Sequence, residues 1–262
     1  MTFQQKLDAQ IYKNNSLLCV GLDPDEEKIP QKFKKSKNWI FEFNKYIIDQ
    51  TKDLVCCYKP DIAFYEAYGM WGLGELQKTL AVVPKDMPVL LDAKRGSVGH
   101  TAEMYAKSVF EFWKADAVTV NIFTGISSLQ PFLKYQDKWS FAYIVSSNRD
   151  GQEFQKAKLL SGEMLYEFMA QKVNDLPNKN IGAIVPATDP KVLKRVREIM
   201  PKRIFLIPGI GAQGGEIAST VNAAKNVDGK GIIISVSRSV LYVANPRAEA
   251  QKIRNEINIY RG

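Results

Sequence analysis

The stretch Val89-Leu90-Leu91-Asp92-Ala93-Lys94-Arg95-Gly96-Ser97-Val98-Gly99-His100-Thr101 places a carboxylate and an ammonium two residues apart at the end of an apolar run. Residues i and i+2 of a strand share a face, so Asp92 and Lys94 project together. Gly96 and Gly99 then bend the chain toward a helix. Taken alone, such a pair is better read as a surface ion pair closing a strand. Three other groups change that reading. Lys59 ends the apolar run Cys56-Cys57-Tyr58, where an ammonium is expensive unless paired. On adjacent strands Lys59, Asp92 and Lys94 can form an alternating row, and a lysine held beside carboxylates stays protonated and can serve as a general acid. Pro208-Gly209-Ile210-Gly211-Ala212-Gln213-Gly214-Gly215 lets backbone N–H groups approach an oxyanion ahead of a helix. Ser237-Arg238 adds a guanidinium fork suited to phosphate.

These groups need elements to position them. Apolar strand-like runs fall near 16–23, 55–63, 88–94, 115–122, 140–147, 181–187, 203–208 and 231–237. Amphipathic, helix-like segments lie near 2–14, from 38, and near 68–82, 101–114, 127–134, 161–173, 190–200, 214–226 and 246–260. The 101–114 helix is expected to turn Met104, Ala106, Val109 and Phe112 inward, and 148–157 to be a polar loop. Asp189-Pro190 marks a helix start. Eight β/α units in 262 residues predict a (β/α)8 TIM barrel, an α/β fold. With no linker or composition shift, residues 1–262 form one domain with an N-terminal helix. The rival, a doubly wound open sheet, lacks support because no G-x-G-x-x-G opens the first helix.

In such a barrel, chemistry sits at the C-terminal ends of the strands. Those ends carry Asp23, Lys59, Asp92, Lys94, Asn121, Ser146-Ser147-Asn148, Pro208-Gly209 and Ser237-Arg238, a coherent polar set. Asp23 precedes Pro24 and is either a turn former or an acceptor for a sugar hydroxyl. The glycine-rich loop and Arg238 follow the seventh and eighth strands, the usual phosphate position in barrels.

The bulk composition narrows the classes. The chain is 45% hydrophobic and 24% charged, ordinary for a globular protein with a sizeable core. Its net charge is +8, but the lysines are scattered and no nucleic-acid motif is present, so a small anionic ligand is the more economical partner. Cys19, Cys56 and Cys57 lie in apolar runs without C-x-x-C spacing, which argues for a reducing compartment and against disulfides or zinc. Residues 1–12 are polar and amphipathic, with no signal-peptide or membrane-span pattern. The single histidine, His100, is read as a capping or surface residue, and no metal site is expected.

The motifs together resemble the orotidine 5′-phosphate decarboxylase family, in its longer bacterial subgroup. The resemblance rests on Leu22-Asp23-Pro24, Lys59-Pro60 with Ala63-Phe64-Tyr65-Glu66, Asp92-Ala93-Lys94-Arg95-Gly96, Thr101-Ala102, Ser147-Asn148, the loop 208–215 and Ser237-Arg238-Ser239. It implies cofactor-free decarboxylation of orotidine 5′-monophosphate to UMP by a cytoplasmic homodimer. By that resemblance Asp23 and Lys59 bind the ribose, and Lys59 also holds the charged row. Asp92 faces the substrate carboxylate and Lys94 protonates C6. Thr101 reaches a ribose hydroxyl in the neighbouring subunit's site, Ser147 bonds the pyrimidine, and Gln213 and Arg238 grip the phosphate, Gln213 from a closing loop. Asn121, Pro208, Gly215 and Ser237 complete the expected substrate-binding set. Related barrels with Asp-x-Lys motifs act on other sugar phosphates with a divalent metal; a nucleotide binder without turnover is the remaining alternative.

One position departs from the family pattern Asp-x-Lys-x-x-Asp, whose last carboxylate is lent across the dimer interface. Here it is Ser97, which can hydrogen-bond but carries no charge. Ser97 therefore belongs with Lys59, Asp92 and Lys94 as the fourth expected member of the catalytic set, and its loss of charge leaves Lys94 less favoured as an ammonium. Three explanations stand open: a substitution introduced into a natural aspartate, compensation by another carboxylate (Asp61 or Glu103), or a weakened relative.

Overall fold

The computed structural model describes residues 1–262 apart from Arg149 and Ala212. Ala212, in the glycine-rich loop, thus lies outside the described residues. Eight strands, β1 (Leu18–Gly21), β2 (Cys57–Lys59), β3 (Leu90–Arg95), β4 (Ala117–Val120), β5 (Trp139–Tyr143), β6 (Ile181–Ile184), β7 (Phe205–Ile207) and β8 (Ile232–Val236), alternate with helices. They form one parallel sheet in the order β2-β1-β8-β7-β6-β5-β4-β3. β1 pairs with both β2 and β8, Cys19 standing opposite Cys57 and Ser235, so the sheet curls round. Parallel bridges Tyr58↔Val89 and Asp61↔Asp92 close the remaining seam between β2 and β3. The result is the eight-stranded barrel expected from the β/α alternation.

Nearly every strand residue is buried, as expected of a parallel sheet covered by helices on its outer face. That explains why the strands read as continuous apolar runs rather than alternating ones. The hydrogen-bonded strands are shorter than the apolar runs predicted. Except at β3, which stays in the ladder to Arg95, the last residues of each run leave the ladder and form the barrel's rim, which is where Asp23, Pro60, Asn121 and Pro208 stand. The flanking helices start on clear local signals. Thr2 and Gln5 form a capping box on Phe3–Asn14, and the Asp189 side chain accepts from the N–H groups of Lys191 and Val192 ahead of Pro190. The three cysteines are buried and unpaired.

Two expectations are corrected. Residues 148–157 are not all loop: Gly151–Gln155 form a short helix whose first N–H is capped by Asp150. A single turn is too short to show periodicity. The expected 101–114 helix runs from Gly99 to Lys107 and continues as a π-helical turn, Ser108–Phe112. Its buried side carries Ala102, Ala106, Val109 and Phe110, whereas Met104 is 50% and Phe112 65% exposed. Each helical residue advances by about 100°, so Met104 lies roughly opposite Ala102, and the wider π turn rotates Phe112 outward.

Candidate active site

The seam that closes the barrel also assembles the charged residues. Pro60 follows Lys59 and has no N–H to give to a ladder. Its carbonyl instead accepts the Asp92 N–H at 2.9 Å, and the Asp92 carbonyl accepts the Ile62 N–H at 3.1 Å. This register sets Lys59 and Asp61 of one edge beside Asp92 and Lys94 of the other. Lys59 Nζ donates to Asp92 Oδ2 at 2.8 Å. Lys94 Nζ donates to Asp92 Oδ1 at 2.9 Å and to Asp61 Oδ2 at 2.9 Å. The row is therefore Lys59–Asp92–Lys94–Asp61, one member longer at its end than the row foreseen from spacing alone.

Lys94 is held in an uncommon backbone conformation, with φ +47°. A non-glycine residue in the left-handed region stores strain and persists only where its surroundings enforce it. Here the β3–β4 register shifts between Leu91 and Arg95, and Thr119 on β4 pins the turn. Its Oγ1 accepts the N–H groups of Ala93 at 3.0 Å and Lys94 at 2.9 Å, and its hydroxyl donates to Asp92 Oδ1 at 2.8 Å. One buried threonine thus aims both the lysine and the carboxylate.

The charges reinforce one another. Burial works against the Asp92 carboxylate, but Lys59 and Lys94 outweigh it and hold its pKa well below the usual carboxylate range. Burial likewise works against the Lys59 ammonium, and Asp92, Asp23 and Asp61 overcome it, leaving Lys59 well above its ordinary value. Lys94 is also raised: desolvation opposes its charge, and Asp92 and Asp61 together prevail. Both lysines are therefore ammonium ions at neutral pH, and Lys94, with 44% of its side chain exposed, can present its proton to a ligand.

Asp23 closes the other side of the rim. Its Oδ2 accepts from Ser237 Oγ at 2.5 Å and its Oδ1 from the Asp61 N–H at 3.1 Å. A side chain at Gly21 would meet Ser237 Oγ at 2.0 Å, so only glycine at the end of β1 allows this contact. Burial pushes the Asp23 carboxyl upward, against the pull of Lys59.

Two clefts flank the row. One, enclosing about 730 Å³ and partly open to solvent, joins Lys59 and Asp23 to Pro208, Gly209, Gln213 and Arg238. The other, of about 1040 Å³ and likewise open, joins Lys94 and Asn121 to Tyr143, Ser146, Asn148 and Phe154. Since Lys59 and Lys94 share Asp92, a ligand lying across the row can put an anionic end in the first cleft and a ring in the second.

The expected residues fall into four groups. Asp23, Lys59, Asp92, Lys94, Asn121, Pro208, Gln213, Ser237 and Arg238 all touch this row or its clefts. Ser147 is half-buried beside the second cleft, while its neighbours Ser146 and Asn148 are among that cleft's lining residues. Gly215 is buried and its N–H donates to the Gly209 carbonyl at 3.0 Å, so it shapes the loop rather than facing the cleft. Ser97 and Thr101 stand at the rim, half-buried and exposed; within one chain the row ends at Asp61 without them. Glu103 bonds Lys134 at 3.1 Å and the exposed His100 at 3.3 Å, away from the row. Thr119 and Tyr143 carried no signal in the sequence, because a threonine or tyrosine inside an apolar strand looks like any other β-former.

A (β/α)8 barrel whose strand ends gather a lysine–carboxylate row beside a glycine-rich loop and an arginine has the arrangement of an enzyme active site. Comparison with known proteins is more specific: the chain belongs to the orotidine 5′-phosphate decarboxylase / HUMPS family, which it matches over residues 16–253. It is 44% identical to the orotidine 5′-phosphate decarboxylase of Dechloromonas aromatica and 41% identical to that of Ralstonia nicotianae, in both cases over 100% of each chain. The structure of Leishmania donovani OMP decarboxylase superposes with a TM-score of 0.89 at 37% identity, covering 100% of this chain and 99% of the other.

Proposed function

We propose that this chain decarboxylates orotidine 5′-monophosphate to UMP without a cofactor, as the catalyst of that step in pyrimidine nucleotide synthesis. The observation that carries the proposal is the Lys59–Asp92–Lys94–Asp61 row lying between a cleft that carries Arg238 and Gln213 and one lined by Asn121, Ser146 and aromatic side chains. In this account Arg238 and Gln213 hold the phosphate, Asp23 and Lys59 the ribose, and the Ser146–Asn148 segment with Asn121 the pyrimidine. Asp92 faces the substrate carboxylate. The C6–carboxylate bond breaks with both electrons left on C6, carbon dioxide departs, and the Lys94 ammonium delivers a proton to C6. Lys94 then regains its proton from water. Ammonium groups fixed in advance favour the carbanion-like transition state over the ground state, and repulsion between Asp92 and the substrate carboxylate is relieved as carbon dioxide leaves.

The remote phosphate supplies binding energy in this scheme. Arg238→Ala is expected to raise KM for orotidine 5′-monophosphate by about 10- to 100-fold, the equivalent of losing a charge-assisted hydrogen bond pair. Steady-state kinetics checks it; an unchanged KM would place the phosphate elsewhere.

The site is proposed to work in a homodimer. Thr101, Met104, Ser108 and Phe112 follow one another at helical spacing, and the two apolar members of that stripe are exposed. A second copy covering this face would bring Ser97 and Thr101 near its own site. Met104→Glu is expected to shift the protein from dimer to monomer by sedimentation, and a dimer that persists unchanged would remove that face from the interface. A cytoplasmic location accords with three buried free cysteines; among the described residues no helix is long and apolar enough to cross a membrane.

A further inference from the structure

We infer that Asp61 is the positioning residue that replaces the missing charge at Ser97, closing the lysine–carboxylate row within a single chain. The inference rests on the proposed decarboxylase reading for its chemistry, but its geometry stands independently. Lys94 Nζ has two carboxylate partners, Asp92 Oδ1 and Asp61 Oδ2, at equal distances of 2.9 Å. Asp61 is itself firmly placed. It is bridged to Asp92 across the barrel seam, its N–H donates to Asp23 Oδ1 at 3.1 Å, and its Oδ1 accepts the Ala63 N–H at 3.2 Å. That leaves Oδ2 to face the lysine. The hydrogen-bonded row then holds two ammonium groups and two carboxylates, with Asp23 adding a further carboxylate beside Lys59, and none of this needs residue 97.

A charge count gives the consequence. With Asp61 present, an aspartate at 97 would add a third carboxylate around Lys94, beside Asp92 and Asp61, and like charges would offset part of its attraction for the lysine. With Asp61 neutralised, the same aspartate would restore the lost partner. The two positions are therefore coupled rather than additive. Glu103, the other carboxylate available nearby in sequence, is engaged with Lys134 and His100 and does not share this place.

The test uses Asp61→Asn, Ser97→Asp and the double variant in the full-length chain, with two readouts. The first is the kinetics of orotidine 5′-monophosphate decarboxylation across pH. A protonated Lys94 is active below its pKa and lost above it; withdrawing one neighbouring carboxylate lowers that pKa, so the alkaline limb of kcat should move to lower pH in Asp61→Asn. At neutral pH kcat should fall at least 30-fold with KM changed less than fivefold. Ser97→Asp should improve kcat at least tenfold more in the Asp61→Asn background than in the unaltered chain. The second readout is direct titration of the Lys94 side chain by NMR, which needs no turnover and should show the same downward shift in Asp61→Asn.

An unshifted Lys94 titration in folded Asp61→Asn overturns the inference, as does an equal gain from Ser97→Asp in both backgrounds. If Asp61→Asn does not fold, the Lys94 titration of Ser97→Asp alone decides: a rise of more than one unit would show the row incomplete as it stands and overturn the inference, and a smaller one supports it. A shifted titration in a chain that never decarboxylates the substrate supports Asp61's role and overturns only the decarboxylase reading.

Discussion

Lys94→Ala is expected to lower kcat for orotidine 5′-monophosphate by about three to four orders of magnitude, the upper part of what a positioned general acid supplies. The size follows from the absence of a substitute. Lys59, the other ammonium in the row, donates to Asp92 from the far side and is buried, so it cannot take over delivery of the proton. KM should change far less, because Gln213 and Arg238, the residues proposed to hold the phosphate, line a separate cleft from Lys94. The variant should also fold. Lys94 is the most exposed lysine of the row, and its removal relaxes a left-handed backbone only if Thr119 lets go of the Ala93 and Lys94 N–H groups. Single-turnover measurement of UMP formation checks the effect. A loss below tenfold would mean that another group protonates C6.

Asp92→Asn should damage both activity and stability. Among the described residues Asp92 is the one carboxylate bonded to both lysines, and it also accepts from Thr119. Its neutral replacement leaves the buried Lys59 ammonium without its nearest counter-charge, a loss of about 3–5 kcal/mol where one partner of a buried pair is removed. Decarboxylation should fall by at least about 10²-fold as the row loses its arrangement. The pH dependence carries a sign. The Asp92 carboxyl is held well below its ordinary value, so its stabilisation is complete above about pH 4 and lost as pH falls toward the folded value. Lys59 is raised, so its contribution is complete below about pH 10 and lost as pH climbs through its folded value. Urea unfolding across pH should show a stability loss in the unaltered chain below pH 4 that is shallower in Asp92→Asn. Equal acid slopes in the two proteins would remove Asp92 as the source.

The architecture was legible because each β/α unit writes a clear pattern: an apolar run, a polar strand end, then an amphipathic segment. Strand ends were informative for the same reason. Lys59, Asp92, Lys94 and Arg238 interrupt or terminate apolar runs, where charge has a cost unless it has a use. What the sequence hid depends on contacts between distant elements. The sequence offers Asp61 and Glu103 equally as carboxylates that could stand in for the charge missing at Ser97; only the seam register, Asp61 opposite Asp92, makes Asp61 the partner of Lys94. Thr119 is one β-former among several, and its bonds to Ala93, Lys94 and Asp92 come from a local register shift that no spacing rule announces. Met104 and Phe112 misled for a different reason. Apolar residues are ordinarily assigned to the core, and here they form an outward stripe on a helix whose last turn is π-helical.

Purified protein, treated with a metal chelator and supplied with no cofactor, should convert orotidine 5′-monophosphate to UMP with one carbon dioxide released per turnover, and Lys94→Ala should abolish nearly all of it. Tight binding of UMP with no carbon dioxide released would contradict the account and leave a nucleotide-binding barrel in place of a decarboxylase.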